Sequence, residues 1–407
     1  MSRKLSRAKT KKKRQSQQCK VYEIKVDKSK LSKNSLHHLN MVFVEAKWLY
    51  NHVLTQEDIT KIDTTILTVP VKVKDGFQKR AFKHISAQMK QSVKDRTFIN
   101  IIALSTLKKR GHKVGRLKFK SELNSVPLKQ YGHTYSINRV TNTVKLQKLK
   151  RPIKVRGLGQ IPLNSEIANA MLVKRSSNYY FQITTYSTKE EKVMPNKSIG
   201  IDFGCETQLT LSSGMKMEYV VPVSDRIKKL DRKIMKNDRK RSNNKKKDQV
   251  KRVKAYQKVV NKKKDKKNKI VHYLVNNFKY ICFQDENIKG WQASGHGKKI
   301  QNTAIGGIIS DLKKKSRTPL VVSKWFPSTQ LCPDCGHKYK PSLDERVYHC
   351  SACSYENDRD VKSAIMIERE GLKNLLPTDR RKVTPEDMGT SGCIGYLGES
   401  VQLSFCG

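Results

Sequence analysis

From Cys19 to Val26 apolar and polar side chains alternate, the period of a strand buried on one face. From about Ser35 the period lengthens. Leu39, Val42, Phe43, Ala46, Leu49 and Tyr50 recur at helical spacing, and Ile85, Met89 and Val93 do so further on. Residues 31–112 therefore read as mainly helical. Beyond Gly111, the short β-leaning runs Arg116–Lys120, Tyr135–Asn138, Thr143–Gln147 and Tyr179–Thr185 are separated by turn residues. They predict a small barrel or sheet over 113–192.

In the second half, Ser198–Ile201, Gln208–Leu211, Tyr280–Phe283 and Leu320–Ser323 read as short apolar strands, and a helix is expected from Ile308 to Lys315. Alternation of strands with helices makes this half α/β. Between two of these strands, Arg226 to Lys269 holds 22 Lys or Arg among 44 residues. Ile227, Leu230 and Ile234, then Val253, Tyr256 and Val260, keep a helical stripe there. The run thus reads as paired basic helices joined near Ser242–Asn244, since a disordered tail would lack the stripe.

Composition sharpens this picture. A chain of 407 residues has room for about two to three domains and a real core. Lys and Arg number 85 against 35 Asp and Glu, a formal charge of +50. An excess that large repels itself unless a polyanion neutralises it, so nucleic acid is the first partner expected. An anionic membrane surface is the rival, but no apolar run approaches the roughly 20 residues of a span, Phe98–Leu104 being the longest. No membrane partner is expected. Residues 1–14 form a basic arm with no apolar stretch after it, which argues against secretion. The nine cysteines are odd in number, and four of them form two Cys-x-x-Cys pairs. In a reducing compartment that pattern means metal binding, and a cytoplasmic location is expected.

Cys332-Pro-Asp-Cys335 and Cys350-Ser-Ala-Cys353 enclose a 14-residue loop. Two such knuckles supply four thiolates for a tetrahedral Zn²⁺ and leave no open position for water, so the zinc is expected to be structural. His337 and His349 lie close by in sequence, but complete cysteine pairs do not need them. Cys19, Cys205, Cys282, Cys393 and Cys406 show no metal spacing.

A metal-dependent nuclease brings distant carboxylates together around two Mg²⁺ ions about 3.5–4 Å apart. Three places in the chain offer them. Asp202 ends an apolar strand just before Phe203-Gly204, Asp285 and Glu286 follow the Tyr280–Phe283 strand, and Asp358 and Asp360 open a helix over Val361–Ile367. Each has a plainer reading, as a turn residue or a helix N-cap. Their order within one α/β half that also carries the cysteine pairs is what raises the chemical reading.

Gly200-Ile-Asp-Phe-Gly204, Gln284-Asp-Glu-Asn287, Ser328-Thr-Gln-Leu-Cys-Pro-Asp-Cys-Gly336 and Asp358-Arg-Asp-Val-Lys-Ser-Ala364 together resemble the TnpB family, transposon-encoded proteins related to the compact type V CRISPR effectors. In the first half the likeness rests on Leu49–Leu54 and Arg116–Ser121. The resemblance implies an α+β multidomain chain. After the basic arm, 15–30 and 113–192 would form a wedge β-barrel and 31–112 a helical recognition lobe. An RNase H-like (RuvC) nuclease domain would span 193–328 and 357–407, with a zinc ribbon inserted at 329–356. It also implies an RNA-guided DNA endonuclease with a guide RNA and target DNA as partners, acting on the nucleoid in a prokaryotic cytoplasm. Asp202 and Asp360 would be the first and third Mg²⁺-binding carboxylates. Where many relatives carry the second, a Glu, this chain has Gln284. Glu286, two residues on and so on the same side of the strand, is expected to replace it. Two rivals remain, a nuclease-dead RNA-guided regulator and a DNA-binding protein that needs no RNA. Residues 372–407 carry no assignment.

Overall fold

Alternation in β1 (Gln17–Val26) buries Ile24 and Val26, while Val21 stays exposed. The computed structural model describes residues 3–74, 76–189, 196–236, 242–342, 344–375 and 384–385. Its chain divides into two units, Met1–Glu191 and Lys192–Gly407. Most of the 372–407 segment thus lies outside the described residues.

In the first unit β1 is central. It runs antiparallel to β9 (Asn178–Thr188) along most of its length and meets β7 (Ile153–Arg156) at Lys25 and Val26. With β4 (Ser125–Leu128), β5 (Tyr135–Asn138), β6 (Thr143–Leu146) and β8 (Glu166–Arg175), the sheet order is β4-β8-β9-β1-β7-β6-β5. The edge strands β4 and β5 are consecutive in sequence. The Tyr135 hydroxyl donates to the Ala168 carbonyl at 2.9 Å, so the sheet curls into a nearly closed barrel. Helices α2 (Lys33–Val53) and α3 (Ala87–Lys109) are capped by Ser32 and Ser86, and their apolar stripes join the barrel interior in one core.

One expectation changes here and two gain detail. The basic arm is helical, as α1 (Arg3–Gln15), and Arg14 and Lys13 are anchored on Glu166. Residues 31–112 are not helical throughout: β2 (Thr68–Val73) and β3 (Gly76–Ala81) form a hairpin between α2 and α3, entered through Gly76 at φ 126°. Alternation in Thr-Val-Pro-Val-Lys-Val was its signal. Arg116–Lys120 is not a strand, because its backbone is held by a side chain. Asn51 donates to the Lys120 carbonyl at 3.0 Å and accepts from its N–H at 2.9 Å.

In the second unit β10 (Lys197–Asp202), β13 (Tyr280–Gln284) and β14 (Thr318–Val322) are parallel, and β11 (Leu209–Leu211) and β12 (Lys216–Met217) extend the sheet antiparallel, in the order β12-β11-β10-β13-β14. One face packs Ile199, Ile201, Ile281 and Phe283 on α5 (Asn243–Asn277) and on α8 (Ile305–Lys315), which follows the short α6 (Ile288–Trp291) and α7 (Gly297–Asn302). On the other face α9 (Arg359–Lys373) packs Ile367 against Tyr280, Cys282, Leu320 and Val322. Gly200 lets α9 approach closely, since a Cβ there would stand 2.0 Å from the Ala364 carbonyl oxygen.

The basic run forms α4 (Asp225–Lys236) and then α5, whose N-cap is Ser242. Its buried stripe differs from the expected one. Ala255 and Val259 face α4, whereas Val253 and Val260 are 49% and 54% exposed. Alanine is a weak periodicity signal, and among so many lysines a shift of one position was invisible. Among the described residues no helix is long and apolar enough to cross a membrane.

Candidate functional site

The chain leaves β10 toward β11 on one side of the sheet, while β13 pairs on the other. A crevice opens at the carboxyl ends of strands where the order reverses in this way. Register pairs Ile201 with Phe283, so Asp202 and Gln284 end adjacent parallel strands at the same level. Both alternate with residues that face α5 and α8, which turns them toward α9. Asp358 caps α9 by accepting from the N–H groups of Asp360 and Val361, both at 3.1 Å, and this sets Asp360 in the first turn.

Asp202 is half-buried, and desolvation, then the charges of Asp360 and Glu286, push its pKa up to about 8. Burial and then Asp285 push Glu286 up to about 7. The fold therefore brings the three sequence-predicted acids within electrostatic reach. They do not converge tightly: among the described residues no three acidic groups have ligand oxygens all within 4.8 Å of one another. Asp285 points elsewhere, accepting from Lys313 at 2.6 Å, and Asp358 accepts from Lys216 at 2.7 Å.

Gln284 is committed to the protein. Buried at 7% exposure, it donates through Nε2 to the carbonyls of Ser323 at 3.2 Å and Phe326 at 2.9 Å, and its Oε1 accepts from Ser328 Oγ at 3.2 Å. Its amide fastens the 323–328 turn.

These shifts give a pH expectation. A carboxyl whose folded pKa lies above its unfolded value of 3.8 holds its proton more tightly when folded. Its contribution to stability is then lost as pH rises from about 4 to 8. Without added divalent cation, the wild-type melting temperature should fall from pH 5.5 to 8 more than that of Asp202→Asn. Parallel slopes would show that Asp202 titrates normally.

The second cluster is tighter. Cys332, Cys335, Cys350 and Cys353 present sulfurs all within 4.8 Å of one another. The Cys332–Cys353 and Cys335–Cys350 Sγ pairs are each 3.5 Å apart, far beyond a disulfide bond. Four sulfurs at 2.3 Å from a tetrahedral centre would stand about 3.8 Å apart, so the set fits Zn²⁺. β15 (Val347–His349) and β16 (Glu356–Asp358) form a hairpin around the second knuckle, and Tyr348 is buried beside Cys332 and Cys350. Purified protein should carry about one equivalent of zinc, and Cys335→Ser should lower it. Less than about half an equivalent by elemental analysis would refute a zinc site.

One residue escaped the sequence reading. Lys362 lies two positions past Asp360 and is 0% exposed, as deep as its neighbours Ser363 and Ala364. A charged residue on the face that also carries Val361 and Ile365 was the available signal.

Residues 308–367 match the family model for the Cas12f1-like TNB domain, and residues 181–291 match one described as "Probable transposase". A "Putative RNA-guided DNA endonuclease" of Streptomyces pristinaespiralis is 25% identical over 237 residues, covering 56% of this chain and 58% of that relative. TnpB-like protein L79 of Acanthamoeba polyphaga mimivirus is 28% identical over 209 residues, 46% of this chain and 39% of that one. The chain thus spans little more than half of one relative's length and about two fifths of the other's. In a cryo-EM structure of the Cas12f1-sgRNA-target DNA complex, one chain aligns at 12% identity and a TM-score of 0.43, over 83% of this chain and 80% of that one. The sequence matches are thus to a transposase-related model and a Cas12f1-like TNB model, both within the second half of the chain or at its border. The relatives it matches include TnpB-like proteins.

Proposed function

We propose that this protein is an RNA-guided DNA endonuclease whose carboxyl-edge acids Asp202, Glu286 and Asp360 hold Mg²⁺. The observation that carries this reading is the meeting of three acids from β10, the end of β13 and the start of α9, with Asp202 raised by the charge of the other two. Partly desolvated carboxylates that repel one another favour a divalent cation. Bound there, Mg²⁺ would supply Lewis acidity toward a phosphodiester and a water nucleophile at neutral pH. Arg359, whose charge opposes the rise at Asp202, adds a cation at the same edge. The exposed lysines of α4 and α5 would hold phosphates, leaving sequence to be read by base pairing.

The printed name of the Streptomyces relative supports the same activity. A sheet whose first three strands are antiparallel and whose last two are parallel to the first supports an RNase H-like (RuvC) reading of 193–328 and 357–407. The cysteine cluster supports a zinc ribbon at 329–356. The seven-stranded sheet supports a wedge barrel from 15–30 and 113–192, with 31–112 as the recognition lobe.

Gln284 favours a second reading, a nuclease-dead RNA-guided regulator. It occupies the strand position level with Asp202, and its polar atoms are spent on the 323–328 turn. Expressing the protein with its native flanking DNA, sequencing any bound RNA, and then offering DNA complementary to that RNA separates the readings. Cleavage supports the endonuclease. RNA-dependent binding without cleavage supports the regulator, and the absence of a discrete RNA removes both.

A further inference from the structure

Lys362 is the most deeply buried cation among the described residues, and neutral groups hold its ammonium. Its Nζ donates to the carbonyls of Ser328 at 3.1 Å and Leu331 at 3.2 Å, and it sits 3.9 Å from the centroid of the Tyr348 ring. A bare ammonium is costly to bury, so these partners must hold it firmly. They lie on both sides of a junction. Leu331 directly precedes the zinc-ligand candidate Cys332, and Tyr348 packs against Cys332 and Cys350. Ser328 bonds through its hydroxyl to Gln284 at the end of β13. Lys362 itself stands one half-turn past Asp360 on α9.

The lysine also feels the charge of Cys332 and, after it, of Asp202. Four thiolates around one Zn²⁺ carry a net charge of about −2. When that cluster is loaded, the ammonium has a strong counter-charge on the ribbon side. When it is empty, the 328–331 segment held by Lys362 loses its anchor at Cys332, and the ammonium its fixed place one half-turn from Asp360.

We propose that Lys362 is a positioning residue that couples the cysteine cluster to the carboxylate edge, so that zinc loading sets the affinity of Asp202, Glu286 and Asp360 for a divalent cation. This rests on the two metal sites of the proposed function. Coupling of this kind is reciprocal and commonly amounts to about fivefold or more in affinity.

The test uses full-length protein and Mn²⁺ as probe, its binding followed by electron paramagnetic resonance, with and without prior removal of zinc. Asp202→Ala defines which signal belongs to the carboxylates. Zinc removal should weaken Mn²⁺ binding to the wild type at least about fivefold. Lys362→Met should bind Mn²⁺ more tightly than the wild type, because a positive charge is gone, and should change less than about twofold on zinc removal. Lys362→Arg should restore the zinc dependence, which a loss of packing alone would not predict. Should Lys362→Met fail to fold, Lys362→Gln, which removes the charge and keeps a polar tip toward the Ser328 and Leu331 carbonyls, must likewise flatten the response. Equal zinc dependence in the wild type and the folded variant overturns the coupling, as does a wild type that binds both metals independently. A wild type that binds neither metal removes the metal sites themselves, and the coupling with them.

Discussion

Replacing Asp202, Glu286 or Asp360 singly with Ala should lower cleavage of guide-matched DNA roughly a thousandfold, while RNA-guided binding stays within about twofold of wild type. Metal-assisted phosphodiester hydrolysis draws several kcal/mol from the bound cations, and about 4 kcal/mol corresponds to that factor. Binding should survive because the proposed phosphate contacts come from lysines and arginines elsewhere. Glu286 is the decisive member. Asp202 and Asp360 are fixed by a strand end and by a capped helix start, whereas Glu286 lies past the end of β13, where its N–H turns back to the Gln284 carbonyl at 3.0 Å. Wild-type cutting by Glu286→Ala would refute its role. Gln284→Glu supplies the complementary measurement. A carboxylate there still accepts from Ser328, but it loses both donations to the Ser323 and Phe326 carbonyls and meets their oxygens instead. With Glu286 as the working ligand, this variant should lose stability and gain no activity. A gain of cleavage from an inactive wild type would establish the regulator.

Gly200→Ala should destabilise the second unit by roughly 3 kcal/mol, at the upper end of overpacking costs. The added Cβ would stand 2.0 Å from the Ala364 carbonyl oxygen and 2.8 Å from the Glu368 Cβ, so α9 has to retreat from β10. For a unit of this size the melting temperature should fall by about 6–12 °C. The Ser198 hydroxyl donates to the buried Glu368 carboxylate across the same seam, so the retreat also strains a buried polar pair. Because α9 carries Asp360, Mn²⁺ affinity at the carboxyl edge should fall in parallel. Gly159→Ala is the control: a Cβ there meets nothing within 4 Å, and a shift of less than about 2 °C is expected. Equal shifts for the two variants would show that the close approach of α9 is not what Gly200 provides.

Local chemistry made much of this protein legible from sequence. Two Cys-x-x-Cys pairs need only a turn each and one loop to meet, so their spacing alone foretold the cluster of four sulfurs. The apolar runs of β10 and β13 read clearly because these parallel strands are buried on both faces. The basic pair of helices and its joint near Ser242 were legible from a helical apolar period, although the buried stripe of α5 lies at Ala255 and Val259. Other features had no local cause. The hairpin at 68–81 is short and almost wholly exposed, so its alternation in β2 had no buried face to reinforce it, and Arg116–Lys120 is β-like in composition but is held by Asn51 from a helix far back in the chain. Which face of β13 Gln284 takes was readable from its period, but its partners were not. Ser323, Phe326 and Ser328 lie some forty residues further on, and only parallel pairing of β13 with β14 brings them alongside. Lys362 is the extreme case. A lysine is soluble by itself, and only a fold that closes carbonyls and an aromatic ring around its ammonium can bury it.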